Sequence, residues 1–322
     1  MRAPKVILRT VLAAAVAGTG AVAIGAPPAQ AGWSDGLFTG TVRNDLGAVV
    51  AGATISVWPT VNEDSNPVAV TRTNAAGKWR VADLDAGRYK VEIGLAGWSE
   101  YAPGRERNHA DARTYPAAAH RLTVVNSVVE RAGSFAGRLT TPTGGPAAGV
   151  PVTVDDYNTA REFKTTTAAD GTYSLPVPPR GDYVVNYRDG NFRQYALGTT
   201  DSEQARHYTV ASGQRVTVND QFLETASLTG RLVDAAGAPV VAATVRFIYT
   251  ETAFELQTTT DADGRYSFEK LNPGPVKVSF GTADGRYQYA YQAASYNEAT
   301  EFTLTLGTVT TVNDTLLPTT TS

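Results

Sequence analysis

The sequence predicts an all-β protein built from three tandem seven-stranded antiparallel β-sandwiches, and three observations carry that prediction. The first is a threefold internal repeat with a period of about 93 residues. Gly40, Gly137 and Gly230 each open a Gly-x-Val or Gly-x-Leu segment, and Gly77, Gly171 and Gly264 recur 94 and 93 residues apart. Ten residues further on, Gly87, Gly181 and Gly274 keep the same spacing; Tyr101, Tyr195 and Tyr289, then Asn126, Asn219 and Asn313, stay in register with them. The second observation is strict alternation of apolar and polar residues within each copy, the period of a half-buried strand. The third is the lack of any comparable stretch with a 3.6-residue period.

Taken in chain order, Arg2, Lys5 and Arg9 precede an apolar run at 11–24 and an Ala-x-Ala ending at Ala29 to Ala31. That pattern predicts a secretory signal peptide at 1–31, cleaved after Ala31 to leave 291 residues. A transmembrane helix needs roughly 20 apolar residues, and this run is shorter and interrupted by Gly18, Gly20 and Gly25. The repeats are then placed at 32–132, 133–225 and 226–318, with a tail at 319–322. Leu317-Pro318-Thr319-Thr320 opens like a wall-sorting signal but lacks the following Gly, so covalent wall anchoring is not expected.

Within the copies, Ala53, Ile55 and Val57 are expected to face a core, as are Val150, Val152 and Val154, and Ala243, Val245 and Phe247. Trp79 and Val81, Tyr173 and Leu175, and Tyr266 and Phe268 take the same phase after the second glycine. Tyr89, Val91 and Ile93 do so after the third, with Tyr183, Val185 and Tyr187, and Val276, Val278 and Phe280, as counterparts. Gly77, Gly171 and Gly264 close Asn- or Asp-containing turns that call for positive φ. The first copy carries three extra residues, assigned to a polar loop at 61–67. A unit of about 93 residues can bury its own core. The joints at 131–134 and 224–227 are each only about 13 Å long when extended, which predicts a semi-rigid rod.

Composition removes several function classes. The 28 Lys+Arg face 31 Asp+Glu, and beyond the leader the balance is 25 against 31, which argues against a nucleic-acid partner. The absence of Cys excludes disulfide frameworks, thiolate nucleophiles and Cys-based metal sites. No cofactor is expected.

The stretch from Gly230 to Val240, with Ala243-Thr244-Val245, the run from Thr258 to Phe268, and Leu271-Asn272-Pro273-Gly274, resembles the carboxypeptidase regulatory-like domain. That family is close to the B-type repeats of collagen-binding surface proteins. The third copy matches best, and the resemblance extends over nearly all of the chain beyond the leader. It implies a transthyretin-like sandwich with Ig-like architecture, a shape shared with starch-binding domains. B-type repeats often carry a Lys–Asn isopeptide bond between first and last strands, but the opening strands at 38–43, 135–140 and 228–233 contain no Lys. No such crosslink is expected here.

Candidate chemistry is sparse. Gly32-Trp33-Ser34-Asp35-Gly36 matches a nucleophile elbow in letters, yet no strand precedes it and no helix follows. His109, His120 and His207 form no metal-ligand spacing; Arg180-Gly181-Asp182 places its glycine at a shared turn. Asp155-Asp156 and Asp261-x-Asp263-Gly264 supply too few ligands for calcium and read as solvated turns. Exposed aromatics are the best binding candidates: Trp58, opposite in phase to Val57, and the loop groups Trp98 with Tyr101, Phe192 with Tyr195, and Tyr287 with Tyr289. No catalytic residue and no metal ligand is assigned.

The function these features predict is a secreted, non-catalytic monomer acting as an extracellular binding, adhesion or spacer module. Its partner is a polysaccharide or an extracellular protein, with no nucleic acid and no membrane after signal cleavage. The alternative is a starch-binding accessory of polysaccharide degradation, a chain labelled α-amylase-like through its fold. An amylase barrel needs about 250 residues, and the repeats leave no room for one.

Overall fold

The structure, a computed structural model, describes residues 35–60 and 66–318. The expected signal peptide, the first five residues of the loop at 61–67, and the tail lie outside the described residues. The chain divides into two compact units, Met1–Gly133 with Val177–Arg180 and Val210–Gln214, and Ser134–Pro176 with Gly181–Thr209 and Arg215–Ser322.

The first repeat contributes β1 (Gly36–Asn44), β2 (Thr54–Pro59), β3 (Ala69–Arg72), β4 (Lys78–Leu84), β5 (Gly87–Gly94), β6 (Ser99–Tyr101), β7 (Thr114–Ala117), β8 (Leu122–Val124) and β9 (Ser127–Val129). The second contributes β10 (Gly133–Thr140), β11 (Pro151–Asp156), β12 (Arg161–Thr166), β13 (Thr172–Val177), β14 (Asp182–Asp189), β15 (Phe192–Tyr195), β16 (His207–Thr209), β17 (Arg215–Thr217) and β18 (Asp220–Gln221). The third contributes β19 (Ala226–Val233), β20 (Thr244–Tyr249), β21 (Glu255–Thr259), β22 (Arg265–Leu271), β23 (Gly274–Gly281), β24 (Tyr287–Tyr289), β25 (Phe302–Leu304), β26 (Val309–Thr311) and β27 (Asp314–Thr315).

Each repeat forms a four-stranded and a five-stranded sheet. In the third, the order is β22-β19-β26 with β27 also on β19, and β21-β20-β23-β24 with β25 also on β23. The nine segments therefore fill seven strand positions, because two successive segments share one edge in each sheet. The closing segments run parallel to the opening strand, as β26 and β27 do along β19, whereas the five-stranded sheet is antiparallel. Parallel pairing needs a crossover rather than a hairpin, and the chain arrives at β26 from β25 in the other sheet.

The alternating residues fill the cores as their phase predicts. Phe38, Ile55, Val57, Val91 and Ile93 are fully enclosed in the first repeat, Tyr183, Val185 and Tyr187 in the second, and Leu228, Phe247, Val278 and Phe280 in the third. Each such side chain contributes about 1.5–3 kcal/mol on burial.

The repeating Gly and Asn landmarks serve one device. The closing strand breaks between its two segments, and Asn126, Asn219 and Asn313 sit at the break. Their Oδ1 atoms accept the Thr41, Arg138 and Arg231 amides, each at 2.9 Å, supplying the acceptor that the break removes. At Gly230 a Cβ would lie 1.9 Å from the Val312 carbonyl oxygen, with the same conflict at Gly40 and Gly137, so only glycine lets the break approach. The Tyr173 and Tyr266 hydroxyls donate to the Val218 and Val312 carbonyls at 2.8 and 2.5 Å. Gly264, at φ +72°, closes its turn as expected, with Asp261 Oδ1 accepting the Asp263 and Arg265 amides.

A buried polar lock also recurs, and nothing in the sequence pattern announced it. Gln194 and Gln288 are enclosed; each donates Nε2 to a carboxylate, Asp220 Oδ2 or Asp314 Oδ2, at 3.1 Å. Each also accepts a backbone amide, from Leu223 or Leu317, at 2.8 Å. In the first repeat the acid has moved across: Glu100 stands at the Gln position and Ser127 at the Asp position, and Glu100 Oε2 accepts the Arg105 amide at 2.8 Å.

Burial raises the Asp220 carboxyl above its ordinary value of 3.8. The folded state therefore holds this proton more tightly than the unfolded chain does. Below the unfolded value both states are protonated and no penalty exists; as pH rises through the folded value, ionising the buried acid costs stability. Relative to Asp220→Asn, which does not titrate there, wild-type resistance to urea should decline from about pH 3 upward and level off above the raised value. A difference between the two proteins that stays constant with pH contradicts this assignment.

Candidate functional site

The outer face of each five-stranded sheet is where the recurring tyrosine lies. Tyr101 pairs with Glu92, Tyr195 with Asn186, and Tyr289 with Ser279, all outward-phase positions beside inward core residues. What surrounds that tyrosine differs from copy to copy.

In the third repeat, Arg246 and Ile248 of β20 stand opposite Ser279 and Lys277 of β23, and Ser279 and Gly281 stand opposite Tyr289 and Tyr287 of β24. The Tyr287 ring packs beside Gly281, where the lack of a side chain leaves space. Tyr287 and Tyr289 meet edge to face at 5.5 Å between centroids, and Tyr289 and Tyr296 at 6.0 Å. Lys277 Nζ lies 4.2 Å from the Tyr296 ring centre and donates to the Tyr296 carbonyl at 2.8 Å. Tyr287 is 52% and Tyr296 38% exposed, so their rings reach solvent. The adjoining Tyr287 hydroxyl, followed by burial, pushes the Tyr289 phenol up to about 12, and it stays a neutral hydrogen-bonding group at physiological pH. Ser279 is buried at the centre of this face, its hydroxyl without a hydrogen-bond partner.

In the first repeat, Trp58 and Tyr101 converge on His109. The ring centroids are 6.2 and 5.2 Å apart, and His109 Nδ1 lies 3.0 Å from the Tyr101 hydroxyl. Trp58 Nε1 donates to Glu92 at 2.8 Å. Burial, with the Glu92 charge second, pushes the Tyr101 phenol up to about 12. In the second repeat, Tyr195 is half-buried with Arg193 and Asn186 nearby, and Asn186 Nδ2 donates to Asp155 at 2.7 Å.

Three aromatic candidates need correction. Tyr101 is only 8% exposed, its hydroxyl against His109, so its ring is no open platform. Phe192 does not sit in a loop: it opens β15, is fully buried, and packs on Phe222 at 6.1 Å, so it belongs to the core. Trp98 does lie in a turn, but it is 9% exposed and cannot serve as an open platform. Alternation gives the phase of a residue along a strand, but it cannot register how much of a turn residue's ring is covered. Tyr296, His109 and Lys277 were missed for the opposite reason. Tyr296 and His109 come to the face through loops with no recurring spacing, and Lys277, the counterpart of Lys90, reaches it from across the sheet.

The remaining motifs resolve into structure. Gly36 leads into a strand, not the helix that a nucleophile elbow requires; residues 32–34 lie outside the described residues. Within the first unit Arg180 pairs with Glu130 at 2.8 Å, and within the second Asp182 pairs with His207 at 3.0 Å, so both charges of the Arg-Gly-Asp tripeptide are engaged. Among the described residues, no three His, Asp or Glu side chains gather to hold a metal. None of the described helices is long and apolar enough to cross a membrane.

Among solved structures, the chain is similar to the TIE protein of Bacillus anthracis, with 16% identity over 88% of this chain and 50% of that one, at a TM-score of 0.26. The chain thus spans half the length of that protein. It is also similar to a streptococcal ancillary pilin, with 14% identity over 88% of this chain and 99% of that one, at a TM-score of 0.34. The minor pilin GBS52 of Streptococcus agalactiae shares 15% identity over 58% of this chain and 94% of that one, at a TM-score of 0.36. No curated protein matches the sequence. The family model for the carboxypeptidase regulatory-like domain matches three times in succession, at residues 38–118, 134–222 and 227–317. Those segments take up well over half of the chain, one per pair of sheets, and the protein accordingly belongs to the carboxypeptidase regulatory-like domain family.

Proposed function

We propose that this tandem β-sandwich protein is an exported, non-catalytic module that binds an extracellular polysaccharide on the outer faces of its five-stranded sheets, serving adhesion or spacing. One observation carries the reading: Tyr287, Tyr289 and Tyr296 form a contiguous, solvent-reaching aromatic surface flanked by Lys277, Arg246 and Glu255. Aromatic faces bury the C–H faces of sugar rings, while flanking charges and amides bond their hydroxyls. The non-catalytic part is supported by the three matches, at 38–118, 134–222 and 227–317, to a regulatory-like rather than a catalytic domain. Export rests on the pattern of residues 1–31.

The test is retention of the purified chain on insoluble starch, chitin and cellulose, with collagen as the protein arm. Retention on at least one polysaccharide is expected, and Tyr287→Ala with Tyr289→Ala should weaken it about tenfold, each ring contributing about 0.5–1.5 kcal/mol. Trp58→Ala reports separately on the first repeat. Retention on starch alone supports the accessory reading. Binding to collagen only, or to nothing, overturns the polysaccharide assignment.

A further inference from the structure

A second surface of the third repeat, on its four-stranded sheet, collects cationic donors that are in no ion pair among the described residues. Arg231 of β19 and Arg265 of β22 are directly opposite each other in the antiparallel register. Like charges at that spacing repel and are normally avoided. Among the described residues neither guanidinium is in an ion pair, although five other arginines are. Arg231 spends its Nε on the Asp263 carbonyl at 2.8 Å, which leaves its two terminal nitrogens. Beside it, Asn313 uses Oδ1 to accept the Arg231 amide, so its exposed Nδ2 is a further donor.

These three residues line an open hollow of about 450 Å³ together with Val233, Asp314 and Thr315. The one carboxylate there, Asp314, is in no ion pair with either arginine, and two guanidiniums against one carboxylate leave the lining net positive. Asp314 is buried and accepts from Gln288 Nε2 and the Tyr291 and Thr315 amides. The equivalent positions carry a single cation in the other copies, Thr41 with Lys78 and Arg138 with Thr172. The doubled charge is therefore particular to the third repeat.

We infer that this hollow is a binding site for an oxyanion group, a carboxylate or phosphate borne by an extended ligand. Two guanidinium forks and an amide present planar donors that match such oxygens, and the hollow is open enough to admit a group projecting from a chain. The acidic balance of the whole protein does not oppose this, since at about 0.1 M salt charges beyond roughly 10 Å are screened. The site is distinct from the tyrosine surface and stands whether or not that surface binds sugars.

Binding of the full chain to immobilised polygalacturonate and to inorganic polyphosphate, with neutral dextran as reference, tests it. Retention on a polyanion and not on dextran is expected, weakening as salt rises. Arg265→Gln should lower affinity about tenfold, and adding Arg231→Gln should abolish it, with the unfolding midpoint of the single variant no lower than that of wild type, since removing one of two opposed like charges relieves repulsion. Tyr287→Ala should leave this binding intact, which separates it from the polysaccharide reading. Polygalacturonate alone identifies a carboxylate ligand, and polyphosphate alone a phosphate ligand. Failure on both polyanions, or binding that survives the double substitution, overturns the proposal.

Discussion

Gly230→Ala is expected to disrupt the third repeat, at a cost of at least about 3 kcal/mol. The added methyl would sit 1.9 Å from the Val312 carbonyl oxygen and 2.5 Å from the Tyr266 hydroxyl. Relief by side-chain rotation is not available, since the nearest obstacle is backbone. The closing strand must instead withdraw from β19, and three interactions go with it. Asn313 loses the Arg231 amide, the Val312 amide loses the Thr229 carbonyl at 2.8 Å, and Tyr266 loses the Val312 carbonyl. A buried phenol left without a partner adds its own desolvation penalty. Urea denaturation together with hydrogen exchange at β26 and β27 measures the effect. Stability within about 1 kcal/mol of wild type, with protection retained there, shows that the close approach is not the reason for glycine.

Asp314→Ala should cost roughly 2–4 kcal/mol, more than an ordinary surface change by severalfold. Three donors depend on that carboxylate: Gln288 Nε2 at 3.1 Å, the Tyr291 amide at 2.8 Å and the Thr315 amide at 2.8 Å. Removing the acid leaves one Gln288 N–H without an acceptor while the other stays on the Thr315 carbonyl, in a site where Gln288 is 2% exposed and water cannot readily replace what is lost. Asp314→Asn keeps an acceptor but turns an N–H₂ toward a donor, so an intermediate loss is expected. Gln288→Leu with Asp314→Ala should be less stable than Asp314→Ala alone, because the Leu317 amide and the Thr315 carbonyl also lose Gln288, yet it should cost less than the sum of the two single changes, which both count the Gln288–Asp314 bond. Thermal unfolding of wild type, Asp314→Ala, Gln288→Leu and the double variant provides the cycle. If Asp314→Ala is as stable as wild type, the lock is decorative.

The fold could be read because its signals were local and repeated. Alternation along Ala243, Val245 and Phe247 depends on successive side chains pointing to opposite sides of a strand, a property of the backbone that needs no partner. Gly264 was legible for a similar reason, as a turn at φ +72° names its residue. Gly230 was found as a landmark, yet its cause lay with a carbonyl 82 residues away.

The binding surface was only partly legible. Tyr287 and Tyr289 were marked by spacing and phase, but Tyr296 joined them through a loop, and Phe192 left the surface because β15 turns it onto Phe222. The opposed arginines gave no sign of themselves, since residues 231 and 265 become neighbours only through strand register.

By itself, then, the sequence determined the class of fold, the threefold repetition, the inward face of three strands in each copy and the turns that demand glycine. All of these follow from short-range sterics and from the tendency of apolar surface to leave water. The tertiary structure alone decided which outward residues share a surface, which polar groups are enclosed and matched, and where uncompensated charge collects. Those outcomes depend on pairing across tens of residues, and the free energy of a buried or crowded group is a property of its neighbours rather than of the residue itself.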